Sequence, residues 1–193
     1  MTHDIGVNME FDYTFVPVSL FEQEYPLSDL QEYAEMAIYA TIAFALPFLL
    51  GGQQLLVGSV VNCVLVLAAL NIRGKKLLPV ILLPSVAAYA AGMIFGVASS
   101  ALLIMIPFIW VGNSILVFSM KKLTLSMKKN RILSLGIGAA TKSAFLFLAA
   151  FILFSFGLVP ALFLTAMGVV QLGTALIGGA TALVLQEGKK HFG

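Results

Sequence analysis

From Ala34 to Leu185 the chain is almost a continuous series of apolar runs, each long enough to cross a membrane, and the charges fall at their ends. A helix needs about 20 apolar residues to span the hydrocarbon core. Six stretches meet that length: Tyr33 to Leu50, Gln53 to Ile72, Leu77 to Phe95, Ser99 to Met120, Ile132 to Phe156 and Leu158 to Leu185. With 60% hydrophobic residues, 10% charged and a mean hydropathy of +1.02, the composition lies far outside that of soluble domains. The pattern predicts an all-α integral membrane protein, a six-transmembrane-helix bundle in the cell membrane.

The basic residues test the count. Arg73, Lys75 and Lys76 follow the second run, Lys121 to Arg131 the fourth, and Lys189 and Lys190 the sixth. The alternate connections, Gly51-Gly52, Gly96 to Ser100 and Phe156 to Leu158, carry no charge. Basic residues in short loops mark the cytoplasmic side, so both termini are expected to be cytoplasmic. The acids are equally segregated. All but Glu187 precede or open the first helix, from Asp4 to Glu35.

Three regions follow: an acidic cytoplasmic or interfacial arm (1–32), the membrane domain (33–186) and a basic tail (187–193). The arm either packs on the chain's own basic loops or docks a cytoplasmic partner, and self-packing is the plainer reading. Its apolar residues Phe11, Tyr13, Phe15, Val16, Leu20 and Phe21 suit the membrane interface. Ser28 and Gln31 have capping-box spacing, which predicts a helix start there. The basic n-region of a cleavable signal peptide is missing.

Several function classes are disfavoured. Cys63 is the only cysteine, and His3 and His191 lie outside the apolar runs, so no metal cluster or haem pair can form in the bilayer. No Walker sequence is present. Helices two to six contain no carboxylate for a proton relay. No enzyme activity, cofactor, metal or nucleic-acid partner is expected. A lipid-embedded binder, a conduit or a dependent subunit remains.

Lys142 is the exception among the charges. It lies about ten residues, or roughly 15 Å, into the fifth helix. A cation there costs at least ~2.5 kcal/mol, and the membrane runs offer no acid to pair with it. It either donates to backbone carbonyls or waits for an anionic ligand group. Asn62 and Gln171 fall at roughly the same depth, about 13–15 Å below the outer surface, with Asn113 closer to the cytoplasm. Each amide alone reads as interhelical glue. As a set with Lys142 they form a candidate ligand site. Trp110 and Tyr89 are internal rings that either line such a pocket or fill core space, the latter being the plainer reading. Gln53 and Gln54 are ordinary loop polars or the rim of an entrance. Small residues recur at four-residue spacing: Ala37, Thr41 and Ala45; Gly136 and Ala140; Thr174, Gly178 and Ala182. Such stripes let helices approach closely, and one on a peripheral helix can dock a partner.

Six helices with cytoplasmic ends, basic cytoplasmic loops and no ATPase resemble the substrate-binding S components of energy-coupling factor (ECF) vitamin transporters. Local phrasing is similar too: Gly51-Gly52-Gln53-Gln54-Leu55-Leu56-Val57-Gly58, Pro107-Phe108-Ile109-Trp110-Val111-Gly112-Asn113, and Gln171-Leu172-Gly173-Thr174-Ala175-Leu176-Ile177-Gly178-Gly179. The resemblance covers Tyr33 to Gln186. It implies a vitamin-like solute, a separate ATPase and scaffold, and a scaffold-docking face on helix one. Ala37, Thr41 and Ala45 are the nearest equivalent of that face, with Thr in place of the family's central Ala. The expected function is therefore small-solute binding for an uptake transporter. The alternative is a non-catalytic anchoring subunit of a membrane complex, redox complexes included, whose arm and loops recruit a cytoplasmic enzyme. A passive channel is a third possibility.

Overall fold

The structure, a computed structural model, describes residues 18–92 and 99–192. The arm residues Asp4, Glu10, Phe11, Asp12, Tyr13, Phe15 and Val16, together with His3, lie outside the described residues, as do Phe95, the expected end of the third run, and Gly96 to Ala98 of the connection after it. All regular structure among the described residues is helical. Among the described residues, five helices are long and apolar enough to cross a membrane: Gln54–Asn71, Gly74–Ala91, Ala101–Ser126, Arg131–Ser155 and Leu162–Lys189. The protein is a multi-pass membrane protein.

After a short 3-10 turn, Val18–Phe21, helix α1 runs Asp29–Leu49. Ser28 caps it as expected: its hydroxyl accepts from the Gln31 amide (3.3 Å), and the Gln31 side chain accepts from the Ser28 amide (3.0 Å). α1 is not among the five spans, although it is 21 residues long, because Asp29, Glu32 and Glu35 charge its first two turns. Beyond them its outer face is apolar, with Ile38, Phe44 and Phe48 exposed.

Gly52, at φ 77°, turns the chain into α2, Gln54–Asn71, which is the central helix and the most deeply buried span. A 3-10 turn, Gly74–Leu77, leads into α3, Leu78–Ala91, which stops at Gly92 with φ 64°. α4, Ser99–Met120, continues into a π-helical segment, Lys121–Ser126. The Asn130 side chain then accepts from the Ile132 amide (2.8 Å) to start α5, Arg131–Ser155. The expected single helix from Leu158 to Leu185 is interrupted instead. A short α6, Leu162–Met167, breaks at Gly168 before α7, Val169–Phe192. A Cβ on Gly168 would lie 2.8 Å from the Leu164 carbonyl, so no larger residue fits this break. The Ser143 hydroxyl donates to the Gly168 carbonyl at 3.1 Å and holds it against α5.

α7 packs along α2 closely enough that a Cβ on Gly178 would come within 2.0 Å of the Ser59 carbonyl. Of the small-residue stripes, Thr174, Gly178 and Ala182 therefore serve this seam. Gly136 faces open space, and Gly138 takes the close contact, against Leu116 and Ser119 of α4. Two apolar cores result. One surrounds α2, and the other joins α4, α5 and α6 through Leu102, Met105, Leu146 and Phe163.

At one end of the bundle, residues 20–32 strap the helix ends together. The Glu24 amide donates to the Leu70 carbonyl (2.8 Å), and the Gln23 side chain donates to the Asn71 carbonyl (2.8 Å). Lys121, fully buried, donates to the Glu22 carbonyl at 2.7 Å, and Ser126 donates to the Glu22 carboxylate at 2.6 Å. Arg131 pairs with Glu24 and, at 3.4 Å, with Glu187. Glu32, fully buried, accepts from the Arg73 amide, from the Arg73 guanidinium (3.2 Å) and from Lys76 (2.6 Å). Lys76 also reaches Asp29 at 3.0 Å, and Lys189 pairs with Glu35. Between them Asn71 and Gln186 exchange two amide hydrogen bonds, 3.0 and 2.8 Å. Over these residues the acidic arm packs on the chain's own basic loops.

Candidate functional site

The interior of α5 explains Lys142. Ser134, Leu135, Gly138, Ala139, Lys142, Ser143 and Leu146 form its buried face, so the lysine is turned inward by the same periodicity that buries its neighbours. Its side chain is 1% exposed. Lys142 Nζ donates to Asn62 Oδ1 of α2 at 2.6 Å and to Asn113 Oδ1 of α4 at 2.9 Å.

Both amides are themselves held. Asn62 Nδ2 donates to the Gly58 carbonyl (2.9 Å) and to Thr174 Oγ1 of α7 (3.2 Å). Asn113 Nδ2 donates to the Ile81 carbonyl of α3 at 3.0 Å. These donor bonds fix which end of each amide faces the lysine. Thus both oxygens must point at the ammonium. Five helices converge on one cation, and among the described residues none of its ion pairs is with a carboxylate. An ammonium has three donors, and two are used here.

Lys142 opens on a pocket of about 80 Å³ between the two apolar cores. Its walls are Val57, Val61, Pro84, Ala88, Leu102, Ile109 and Met167, and its polar lining is Gln54, Asn62, Ser85, Asn113, Lys142 and Gln171. Gln54 is the first residue of α2, and Asn62 lies eight residues along the same helix, about 12 Å deeper. The pocket therefore runs inward from the end of the bundle opposite the strap. The break at Gly168 sits beside it, between Met167 and Gln171.

The residues expected to share a pocket are sorted by this geometry. Lys142, Asn62 and Gln171 do line one cavity. Asn113 was expected nearer the cytoplasm. Instead it belongs to the same cluster, because the long lysine side chain bridges to it. Trp110 does not line the pocket. Its Nε1 donates to the Leu82 carbonyl at 3.1 Å, a bond that ties α4 to α3. Tyr89 is 39% exposed and also lies outside the lining. On α1, Ala37 and Thr41 are exposed and Ala45 half-buried, so that stripe faces away from the bundle.

Sequence reasoning missed Ser85, whose hydroxyl donates to the Leu82 carbonyl (3.1 Å) while lining the pocket, and Thr174, the partner of Asn62. Ser85 follows Pro84, and a polar residue beside a proline in an apolar helix was the available signal. Compared with family models, with curated proteins and with solved structures, the chain matches none.

Proposed function

We propose that this chain is a membrane-embedded, non-catalytic subunit that binds a small solute for uptake, energised by a separate ATPase and scaffold. One observation carries the reading. Lys142 is a buried cation held only by neutral amide oxygens, at the bottom of a cavity that the same helices enclose. Buried Lys121 gives its ammonium to the Glu22 carbonyl and so ties the strap down, whereas Lys142 faces a cavity and keeps one donor unused. An intramembrane ionisable group lining a cavity fits ligand capture.

In this reading the sixth membrane crossing is Tyr33 to Leu50, about 27 Å along α1 and its C-cap, with Asp29 and Glu32 outside it at the strapped end. The basic loops at that end make it cytoplasmic, with both termini, in the cell membrane. The pocket then opens outward, where an uptake system meets its solute. The resemblance to ECF S components adds the scaffold, which would meet the α1 face bearing Ala37, Thr41 and Ala45.

The anchoring alternative draws less support. It needs the arm and basic loops free to recruit a partner, whereas Glu22, Glu24, Glu32 and Glu35 are engaged with the chain's own Ser126, Arg131, Arg73, Lys76 and Lys189.

A thermal-shift screen of the detergent-purified chain against water-soluble vitamins, their precursors and small carboxylates tests the proposal. A ligand at 100 times its dissociation constant adds about 2.7 kcal/mol to the folded state, a readable shift. A hit abolished in Lys142→Met supports solute capture at this pocket. A flat screen on demonstrably folded protein removes the proposal.

A further inference from the structure

Resting on the reading of this cavity as a solute site, we infer that its ligand is a short-chain organic monocarboxylate rather than a vitamin-sized molecule or an inorganic anion. Three observations set the class: one charge, mostly apolar walls and a small volume.

The charge comes from Lys142. It keeps one N–H beyond those given to Asn62 and Asn113, and among the described residues no carboxylate lines the cavity. One arriving negative charge neutralises the site. A second would be desolvated without a partner, which disfavours phosphate and dicarboxylates. A cation would meet Lys142 unscreened.

The polar lining favours an anion over an amide-bearing neutral solute. The oxygens of Asn62 and Asn113 are already turned to the lysine. Ser85 spends its proton on Leu82, so recognition of a negative group falls to Lys142. Gln171 and Gln54 line the cavity, and a side-chain amide can donate N–H to a carboxylate. A carboxylate can accept from the third Lys142 N–H and from Gln171, using the geometry of a charge-assisted hydrogen bond.

Most of the remaining lining is hydrocarbon, including Val57, Val61, Leu102 and Met167. Halide or formate would leave those walls without contacts, whereas a short alkyl tail would fill them. The volume then limits the tail. An apolar cavity of about 150 Å³ takes one benzene, so about 80 Å³ leaves room for a ligand of no more than roughly six non-hydrogen atoms. A monocarboxylate of that size, around propionate and butyrate, matches. A flavin or biotin is several times too large for the cavity as shaped.

The experiment is a size and charge series on the full chain in detergent, followed by thermal unfolding and isothermal titration. The probes are sodium formate, acetate, propionate, butyrate, hexanoate and decanoate, with butyramide, chloride, phosphate and the vitamin set alongside. The expected result is an upward shift of several degrees that peaks around propionate and butyrate and is absent for decanoate and butyramide. Lys142→Gln, which keeps a donor and removes the charge, is expected to lose at least tenfold in affinity for butyrate while remaining monodisperse and helical. A shift that grows steadily to decanoate indicates detergent-like partitioning and overturns the proposal. A Lys142-dependent shift with a vitamin but not with the carboxylates overturns the size and charge argument while leaving solute capture intact. An equal response to chloride or phosphate makes the site an inorganic-anion site and also overturns it. No response to any probe removes the capture reading itself.

Discussion

The two ends of this bundle handle buried charge in opposite ways. At the strapped end Arg73, Lys76, Arg131 and Lys189 each meet a carboxylate, and fully buried Glu32 gathers three donors. In the cavity toward the other end, Lys142 meets only the oxygens of two asparagines. The same side-chain chemistry is closed in one place and left open in the other. Within the strap, buried Lys121 differs from the cations paired with carboxylates, giving its ammonium to the Glu22 carbonyl. Ionic groups at the strap complete the fold, whereas the ammonium in the cavity keeps a donor that the proposed solute would take.

The α2–α7 seam joins the two regions, running from Asn62–Thr174 beside the cavity to Asn71–Gln186 beneath the strap. Breaking it should erase the comparison altogether. In Gly178→Val the Cβ would sit 2.0 Å from the Ser59 carbonyl and 2.8 Å from the Cys63 amide nitrogen. Both contacts are backbone, so α2 and α7 must separate. We expect more than the ~3 kcal/mol usual for overpacking. The measurement is recovery of monodisperse protein, and a variant as stable as the parent contradicts the seam.

A smaller effect separates the strap from the cavity. Glu32→Gln removes the charge that holds Arg73 and Lys76 but keeps one acceptor oxygen. Because those two partners are 39% and 17% exposed, we expect about 2 kcal/mol rather than the full cost of breaking a deeply buried pair. Burial pushes the Glu32 carboxyl upward, but hydrogen bonds from Lys76 and Arg73 outweigh it and hold the group below its ordinary value of 4.5. A depressed carboxylate contributes stability above its unfolded pKa, and that contribution is lost as pH falls through the folded value. Wild-type stability should therefore drop below about pH 4.5, and the Glu32→Gln profile should be flatter there. Ligand affinity should not change in this variant.

The reverse separation comes from Lys142→Met. The substitution relieves a buried charge but leaves Asn62 Oδ1 and Asn113 Oδ1 without their donor. Relief of the charge and the lost hydrogen bonds nearly offset, so ligand-free stability should move by no more than about 1.5 kcal/mol. The ligand-induced shift should vanish. A large loss of ligand-free stability would mean that Lys142 completes the fold, as the strap cations do.

Depth was legible in the sequence, but rotation was not. Counting residues from charged loops brought Lys142, Asn62 and Gln171 to one level, and they line one cavity. Apolar residues run all round α3 and α4, so neither helix has a polar face to show which side turns inward. Trp110 and Tyr89 were therefore indistinguishable from pocket residues, and Asn113 was placed by its backbone depth alone. The Ser28–Gln31 cap was legible because its chemistry is local. The Gly168 break and the Glu32 cluster were not, since both depend on neighbours far along the chain.

The smallest effect marks the edge of the cavity. Trp110→Phe keeps an aromatic ring but deletes the Nε1 bond to the Leu82 carbonyl, which Ser85 also uses as an acceptor. That carbonyl keeps one donor, so the cost should be about 1 kcal/mol, the net worth of one hydrogen bond. Because the indole lies outside the lining, solute affinity should stay within about twofold, less than 0.5 kcal/mol. A tenfold loss with stability preserved would place Trp110 against the solute. The binding site would then extend past the α3–α4 contact, and its true size would exceed the cavity seen between the two cores.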